Sequence, residues 1–298
     1  MTAQTSRTYV DRCPGVFRPW IADDGALIRL RLIGGALGSD TLRRISVAAS
    51  EFGDGNVHVT SRANLQLRAI PAVDGCVPQD LVDQISAAGL LPSPSHELVR
   101  NVNVSPLTGR SGGRADLRPI AAELDRLLCA DPRFAALSGR FLFALDDGSG
   151  DISGRNIDLG LFALDGETAQ LRIGSQHWGP IVRLDDAPAA LVALAGAFVA
   201  ARGTGEQALW HIDELPRGGA ELLEASGEPP ARDDRTQVTS TPPPIGEIRQ
   251  DDGLTALHID IPEGVLTPAI AHHLLALPTD TFVVTPWRSI VATDLEHV

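Results

Sequence analysis

The stretch Asn56-Val-His-Val-Thr-Ser-Arg-Ala-Asn-Leu-Gln-Leu-Arg-Ala-Ile70 decides the fold, because its apolar and polar side chains alternate. The odd positions hold the apolar residues Val57, Val59, Leu65 and Leu67. Polar residues hold the even positions on both sides of a short polar break, Ser61-Arg62-Ala63. This period of two predicts two strand segments that flank the break.

Strand alternation places the polar side chains of this stretch on one face of a sheet if the register continues through the break. These side chains belong to Thr60, Arg62, Asn64, Gln66 and Arg68. Such a face is a poor hydrophobic core. It suits a planar polyanion with carboxylates around its edge, because each Arg presents a forked donor that is always charged. A solvated outer face of an antiparallel sheet is the alternative interpretation.

The composition bounds the function classes. A length of 298 residues suits two domains, or one domain with a repeated core. A formal charge of −13 argues against general nucleic-acid binding, which needs a cationic surface. We expect no membrane span, since no apolar run reaches about 18 residues. Cys13, Cys76 and Cys129 are far apart, with no CxxC spacing, so we expect no disulfide framework and no metal site. They favour a reducing compartment, and the cytoplasm is the default localisation.

The regions around this stretch alternate between strand and helix patterns. Ala26–Ile33 alternates leucine with arginine after an Asp-Gly turn and predicts a strand. Thr41–Phe52 and Asp80–Leu90 have apolar residues at helical spacing and predict two amphipathic helices. The resulting order of strand, helix, strand, strand and helix is typical of an α+β sandwich.

The centre of the chain is less regular. Arg100–Gly113 predicts a strand with Asn101, Asn103 and Ser105 on one side, followed by a Gly-rich loop. Such a loop either cradles an anion through backbone N–H groups or simply leads to the predicted helix Ile120–Leu128. Gly139–Leu164 predicts a β-hairpin, and Asp185–Arg202 an Ala-rich helix.

A repeat determines the organisation. Ser226–Pro244 has no periodicity and predicts a linker. After it, the stretch from Asp251 to Ile259 repeats the layout of Asp23 to Arg31, and Gly264-Val265-Leu266 corresponds to Gly35-Ala36-Leu37. The strand from Phe282 to Arg288 corresponds to the strand from Val57 to Arg62, with Thr and Arg recurring in each. The chain is therefore a duplicated unit, and two copies about a pseudo-twofold leave a ligand site in the seam between them.

Three motifs carry a family resemblance. They are Thr60-Ser-Arg-Ala-Asn-Leu-Gln-Leu, Arg100-Asn-Val-Asn-Val-Ser-Pro-Leu-Thr-Gly and Gly139-Arg-Phe-Leu-Phe-Ala-Leu-Asp. Together they resemble successive motifs of the nitrite/sulfite reductase superfamily, and within it those of the precorrin-3B synthases. The resemblance runs from about Cys13 to Leu164 and resumes from Pro243 to Leu295.

The resemblance implies an α+β fold of duplicated ferredoxin-like units with an intervening α/β segment, and it implies sirohaem and a [4Fe–4S] cluster as cofactors. Arg62 and Arg100 match anion-binding arginines of the family, and Arg140 matches the first of two basic residues. Leu142 stands where the reductases carry the second, a lysine, which favours a larger and less charged substrate. The implied tetrapyrrole-binding residues are Thr60, Arg62, Asn64, Gln66, Arg100, Asn101, Asn103 and Arg140. The catalytic residues stay unknown.

The cluster ligands depart from the family pattern. The superfamily has a four-cysteine segment downstream of the second repeat, whereas this chain ends at Val298 and none of its cysteines fits that pattern. A natural truncation, a fragment and a subunit completed by another chain are all open. We therefore expect the purified chain to carry no such cluster.

These observations lead to a domain division and three functional hypotheses. The predicted segments are a first half repeat (13–90), a central α/β segment (91–225), a linker (226–244) and a second half repeat (245–298). The first hypothesis is a precorrin-3B synthase-like monooxygenase of cobalamin biosynthesis, which acts on precorrin-3A with an electron donor. The second is a cluster-less tetrapyrrole-binding protein without catalysis. The third is a nitrite/sulfite reductase-like protein. All three have a small-molecule partner, and none involves nucleic acid or a membrane.

Overall fold

The computed structural model describes residues 11–226 and 230–296. Its contacts divide the chain into two compact units. The repeat unit comprises Cys13–Leu98 and Pro242–Val298, and the central unit comprises Met1–Arg12 and Val99–Thr241. The fold class is α+β, as the sequence predicted, and the duplicated halves both lie in the repeat unit.

The first half of the repeat unit contains the stretch Asn56–Ile70. Its elements in chain order are β1 (Trp20–Ala22), β2 (Gly25–Leu30), β3 (Ala36–Gly38), α1 (Ser39–Phe52), β4 (Val57–Val59), β5 (Leu65–Ile70) and α2 (Gln79–Ala87). β4 and β5 form an antiparallel hairpin, in which His58 faces Gln66 and Val59 faces Leu65. The Thr60 N–H donates to the Asn64 carbonyl at 2.9 Å and closes the turn. The polar break is therefore a tight turn between two strands.

The central unit follows and contains one mixed sheet. Its elements are β6 (Val102–Val104), α3 (Arg118–Ala130), β7 (Phe143–Asp146), β8 (Leu159–Ala163), β9 (Thr168–Ile173), β10 (His177–Arg183) and α4 (Ala187–Ala201). The strand order is β10-β9-β8-β7-β6. β6, β7 and β8 are parallel, and the remaining pairs are antiparallel.

The predicted hairpin over Gly139–Leu164 is wrong, because β7 and β8 run parallel. Parallel neighbours need a crossover, and residues 147–158 supply it. All residues of both strands are buried, so their apolar runs carry no alternation that distinguishes a hairpin from a parallel pair.

Helix α4 is long and apolar enough, by length and composition alone, to span a bilayer when the preceding turn from Leu184 is included. The sequence analysis expected no apolar run of about 18 residues, whereas the segment Leu184–Ala201 has 18 residues and passes this test. Leu191, Ala195 and Phe198 are fully buried, and the helix packs against α3 and β8. The core helix of a globular unit passes the same test of length and apolarity.

The second half of the repeat unit repeats the first. Its elements are β11 (Gly246–Arg249), β12 (Thr255–Asp260), β13 (Val265–Leu266), α5 (Pro268–Leu275), β14 (Thr281–Val284) and β15 (Ser289–Leu295). The two sheets have the orders β1-β2-β5-β4-β13 and β11-β12-β15-β14-β3. Each sheet therefore takes its fifth strand from the other half.

Two glycines permit this exchange. Gly35 and Gly264 both have positive φ, +74° and +71°, and occupy equivalent places before β3 and β13. A Cβ at Gly35 would meet the Val284 carbonyl, and a Cβ at Gly264 would meet the Val59 carbonyl at 2.8 Å. The contacts are reciprocal, since Val59 and Val284 end the equivalent strands β4 and β14. The predicted duplication is confirmed down to backbone conformation.

The turn between β4 and β5 is equivalent to the turn between β14 and β15, and their comparison corrects one detail of the predicted repeat. In both turns a Thr Oγ accepts a backbone N–H at 3.3 Å, from Arg62 to Thr60 and from Trp287 to Thr285. The next residue has positive φ in each half, +56° at Ala63 and +61° at Arg288. Trp287 therefore corresponds to Arg62, and the recurring Thr–Arg pair is not an equivalent pair.

Residues 227–229 of the predicted linker lie outside the described part of the chain. Residues 231–240 belong to the central unit, in which the Gln170 amide donates to the Ala231 carbonyl at 2.8 Å. Arg235 also pairs with Asp165 at 3.0 Å. The linker role of this segment stays a prediction.

Candidate functional site

The two faces of the sheet in the first half differ in polarity. The side chains that pack towards α1 and α2 are apolar, and Ile28, Leu30, Leu65 and Leu67 are all buried. On the opposite face, Arg29 of β2 lies across from Gln66 of β5, which lies across from His58 of β4. Strand alternation places Arg31 on the same side as Arg29. We call Arg29, Arg31, Arg62 and Arg68 the guanidinium face.

Arg31 is the most informative member of this face. Its side chain is 3 % exposed, and Nη1 donates to the carbonyls of Pro14 at 3.2 Å and Arg29 at 3.3 Å. Among the described residues, no carboxylate forms an ion pair with Arg31, and its Nε and Nη2 have no hydrogen-bond partner. Burial, then the charge of Arg29 and more weakly that of Arg62, lowers the pKa of Arg31 to about 9, although the charges of Cys13 and Glu97 oppose this shift. The surroundings of Arg31 therefore favour an added negative charge.

The predicted site residues of the first half lie next to this face. Thr60 and Asn64 bond each other across the turn, and the Asn64 side-chain oxygen accepts the Leu32 N–H at 3.0 Å. Gln66 accepts from the Arg68 guanidinium at 3.0 Å. Arg62 lies in the turn and is half-buried. Thr60 and Asn64 thus hold the hairpin, and Arg62 and Gln66 supply charge and polarity to the face.

Arg29 and Arg31 were absent from the predicted set. Their alternation with Leu27, Leu30 and Leu32 predicted the strand, but the pairing of β2 with β5 was needed to place them beside Gln66. The signal in the sequence was their parity within the strand. It identifies one face, but does not say which neighbouring strand shares that face.

The predicted residues of the central unit have protein partners in most cases. Arg100 is buried and makes a bidentate pair with Asp125 at 2.6 and 2.8 Å. Asn101 donates to the Gly139 carbonyl at 3.0 Å, and the exposed Arg140 stacks over the Trp210 ring at 5.2 Å. Asn103 is 1 % exposed, and neither atom of its amide has a hydrogen-bond partner among the described residues. Whether these residues share a surface with those of the repeat unit stays a prediction.

A group of buried carboxylates, which the sequence analysis did not assign to a site, lies at the end of β7. Asp146, Asp147 and Asp151 are all buried, and the Ser105 hydroxyl donates to Asp151 at 2.7 Å. Burial raises the pKa of Asp151 to about 7, helped by the charge of Asp146, and raises that of Asp146 to about 6. The clustered aspartates of the sequence were the available signal. No group of three or more metal-ligating side chains occurs among the described residues.

The second half of the repeat unit lacks the guanidinium face. Pairing of β12 with β15 and of β14 with β15 puts His258, Val291 and Val283 where the first half has Arg29, Gln66 and His58. His258 contacts the Ser289 hydroxyl at 2.6 Å and the carbonyls of Pro243 and Pro244 at 3.1 and 3.0 Å. The fold therefore does not require guanidinium groups at these positions.

The residues fit one implied cofactor class and not the other. The unpaired nitrogens of Arg31 beside Arg29 and Arg62 fit the carboxylates of a tetrapyrrole. The cysteines do not fit an iron–sulfur cluster, because Cys13 is buried, Cys76 exposed and Cys129 half-buried. No ligand group forms around them in the described residues.

Parts of the chain are similar in sequence to known proteins. The family model of the nitrite/sulfite reductase ferredoxin-like half domain matches residues 22–74. A precorrin-3B synthase of Sinorhizobium sp. is 34% identical over 117 residues, which cover 39% of this chain and 24% of that protein. A ferredoxin–nitrite reductase of Leptolyngbya laminosa is 30% identical over 149 residues, which cover 48% of this chain and 29% of that protein. The matches therefore span about a quarter of the length of each relative.

A solved structure shares the fold. The NirA protein of Mycobacterium tuberculosis superposes with a TM-score of 0.74 at 21% sequence identity, over 96% of this chain and 59% of that chain. The family match lies on the half of the repeat unit that carries the guanidinium face. The chain therefore contains a nitrite/sulfite reductase ferredoxin-like half domain and has the NirA-like α+β fold.

Proposed function

We propose that this protein binds a carboxylated tetrapyrrole on the guanidinium face and acts as a precorrin-3B synthase-like oxidoreductase of cobalamin biosynthesis, with precorrin-3A as its substrate. The observation that carries the proposal is Arg31, a buried guanidinium without a carboxylate partner among the described residues. Burying a charge without a partner costs several kcal/mol, roughly, in real proteins. A ligand carboxylate would offset that cost.

The overall charge makes a local cluster necessary. With a formal charge of −13, the protein repels a polycarboxylate at long range. Only a concentrated set of guanidiniums holds such a ligand, and the charges of Arg29 and Arg62 both lower the pKa of Arg31. Forked donors also suit carboxylates better than point charges do.

The relatives support an oxidoreductase. One of the matched proteins is named a precorrin-3B synthase and the other a ferredoxin–nitrite reductase. A tetrapyrrole-bound iron would supply the redox chemistry when present. The chain's own residues bind and orient: Arg31 and Arg62 hold carboxylates, and Gln66 offers an amide beside them.

Leu142 favours a precorrin over a small anion. It is 4 % exposed at the start of β7, and its N–H donates to the Asp158 carboxylate at 2.8 Å. The resemblance places a lysine of the reductases at this position. An apolar side chain there supplies neither positive charge nor a proton donor to nitrite or sulfite. The nitrite reductase relative nevertheless makes a reductase the second candidate.

Titration with uroporphyrin III, followed by absorbance and fluorescence quenching, tests ligand binding. Losing one charge-assisted pair costs about 1.5–3 kcal/mol, so we expect Arg62→Ala and Arg31→Gln each to weaken binding roughly tenfold to a hundredfold. Arg62→Lys recovers part of the loss, since an ammonium cannot reproduce the fork. Arg288→Ala is the matched control, because Arg288 is an exposed residue in the equivalent turn of the second half.

The outcomes separate the hypotheses. Equal affinities for wild type and both Arg62 variants remove Arg62 from the site, and no binding by wild type overturns the proposal. Iron and sulfide analysis with an absorption spectrum of the purified protein then distinguishes an oxidoreductase from a carrier. Turnover of nitrite, with no affinity for a metal-free porphyrin, favours the reductase.

A further inference from the structure

A carboxylate–histidine pair lies at the edge of the guanidinium face. His58 Nε2 is 2.7 Å from Asp54 Oδ2, and Asp54 Oδ1 accepts the Asn56 N–H at 2.9 Å. The His58 side chain is 11% exposed and that of Asp54 is 30% exposed. The Asn56 N–H therefore orients the Asp54 carboxylate, and the carboxylate orients the His58 ring. Such a pairing sets which ring nitrogen carries the proton.

The second nitrogen of His58 is available. Among the described residues Nδ1 has no hydrogen-bond partner, yet it is not among the fully buried atoms. With the Nε2 proton held by Asp54, Nδ1 of the neutral ring is an acceptor. Proton uptake there forms an imidazolium that the Asp54 carboxylate stabilises.

The charged neighbours of His58 come from three sides. Asp54 lies in the preceding turn. Gln66, directly opposite on β5, is bonded to Arg68, and Arg29 faces Gln66 from β2. On the other side β13 presents Val265, which is uncharged. A ligand carboxylate bound beside these arginines would also lie near His58 and would favour a positive charge on its ring.

The second half of the repeat unit shows that the fold does not need this pair. The place of His58 is taken by Val283, which is 6% exposed and faces Val291. A valine thus suffices for packing at this position of the strand. A buried imidazole with a carboxylate partner, present in one copy only, indicates a role in chemistry rather than in folding.

We propose that Asp54 and His58 form a proton-transfer dyad of the guanidinium face, in which His58 Nδ1 takes up a proton as a carboxylated ligand binds. The proposal rests on the proposed function, since it needs an anionic ligand on that face. Binding of the anion and of the proton are then linked, and each strengthens the other by the same factor. Histidine is the side chain suited to such exchange near neutral pH.

The test is the pH dependence of uroporphyrin III affinity between pH 8 and pH 6, where the porphyrin carboxylates stay ionised. For wild type we expect affinity to rise about fivefold to tenfold as pH falls, a typical coupling. His58→Val copies the second half of the repeat unit and should fold, and its affinity should lose this dependence. Asp54→Asn should bind at pH 8 like wild type and gain less at pH 6. His272→Ala, at an exposed position of α5, is the control and should match wild type.

The two proposals fail differently. If His58→Val binds the porphyrin and keeps the wild-type pH dependence, the dyad is overturned while ligand binding stands. If wild type shows no affinity at any pH, the proposed function is overturned and the dyad with it. A parallel thermal melt of each variant, without ligand, separates loss of folding from loss of linkage.

Discussion

At the scale of single residues, two buried arginines differ in their partners. Arg100 forms a bidentate pair with Asp125, whereas Arg31 has no carboxylate partner among the described residues. Arg100 was a predicted anion-binding residue, whereas Arg31 was not. Asp125 therefore neutralises the charge of Arg100, whereas Arg31 has no ion pair of this kind among the described residues.

This contrast predicts opposite effects on stability. Arg31→Met removes a buried charge without an ion-pair partner and should raise the free energy of unfolding of the ligand-free protein by about 1–3 kcal/mol, while it weakens porphyrin binding as Arg31→Gln does. Arg100→Met leaves Asp125 unpaired and should lower that free energy by about 3 kcal/mol. Urea denaturation of both variants is the measurement. Destabilisation by Arg31→Met would mean that its backbone hydrogen bonds outweigh its desolvation.

The buried aspartates of the central unit make stability depend on pH. Asp151 has a folded pKa of about 7, above its unfolded value, so its contribution is fully present below the unfolded value of about 3.9 and is lost as pH rises through about 7. The loss is on the order of 4 kcal/mol across that window. Asp151→Asn should remove most of this dependence, because an amide does not ionise. Urea denaturation from pH 5 to pH 8.5 measures it, with the exposed Asp185→Asn as control.

At the scale of elements, the exchange of β3 and β13 depends on close backbone approach. Gly35 combines positive φ with a place where a Cβ would meet the Val284 carbonyl. Gly35→Ala should therefore lower the free energy of unfolding by more than about 2 kcal/mol, since both strain and a backbone shift are involved.

Gly55→Ala is the control for this substitution. Gly55 also has positive φ, +83°, but a Cβ there meets nothing within 4 Å. Its replacement should cost about 1 kcal/mol from conformation alone. Equal losses in urea denaturation for the two variants would contradict the role of close approach.

At the scale of the whole molecule, the repeat unit is discontinuous in sequence, because residues 99–241 lie between its halves. In the fragment 13–98, β4 would lose β13, and β3 would lose β14. We expect this fragment alone to lack cooperative folding. Mixing it with the fragment 242–298 should restore a cooperative melt, followed by circular dichroism. A cooperative melt of 13–98 alone would show that the exchange is dispensable.

Local patterns determined much of this protein. Alternation in Asn56–Ile70 predicted β4 and β5, helical spacing predicted α1 and α2, and the recurring Asp-Gly and Gly-x-Leu patterns predicted the duplication. The spacing of apolar residues within one segment shows which face of a strand or helix is buried, so these elements can be predicted from local sequence.

Contacts between distant residues decided the rest. Only the tertiary structure shows that β7 and β8 are parallel, that the halves exchange strands, and that Arg100 meets Asp125 while Arg31 lacks a carboxylate partner among the described residues. In strands buried on both faces, the sequence pattern does not distinguish parallel from antiparallel pairing. The partner of a charge depends on which elements pack together, so the sequence predicted Arg62 and Arg100 as anion-binding residues but not Arg31, whose surroundings only the packing shows.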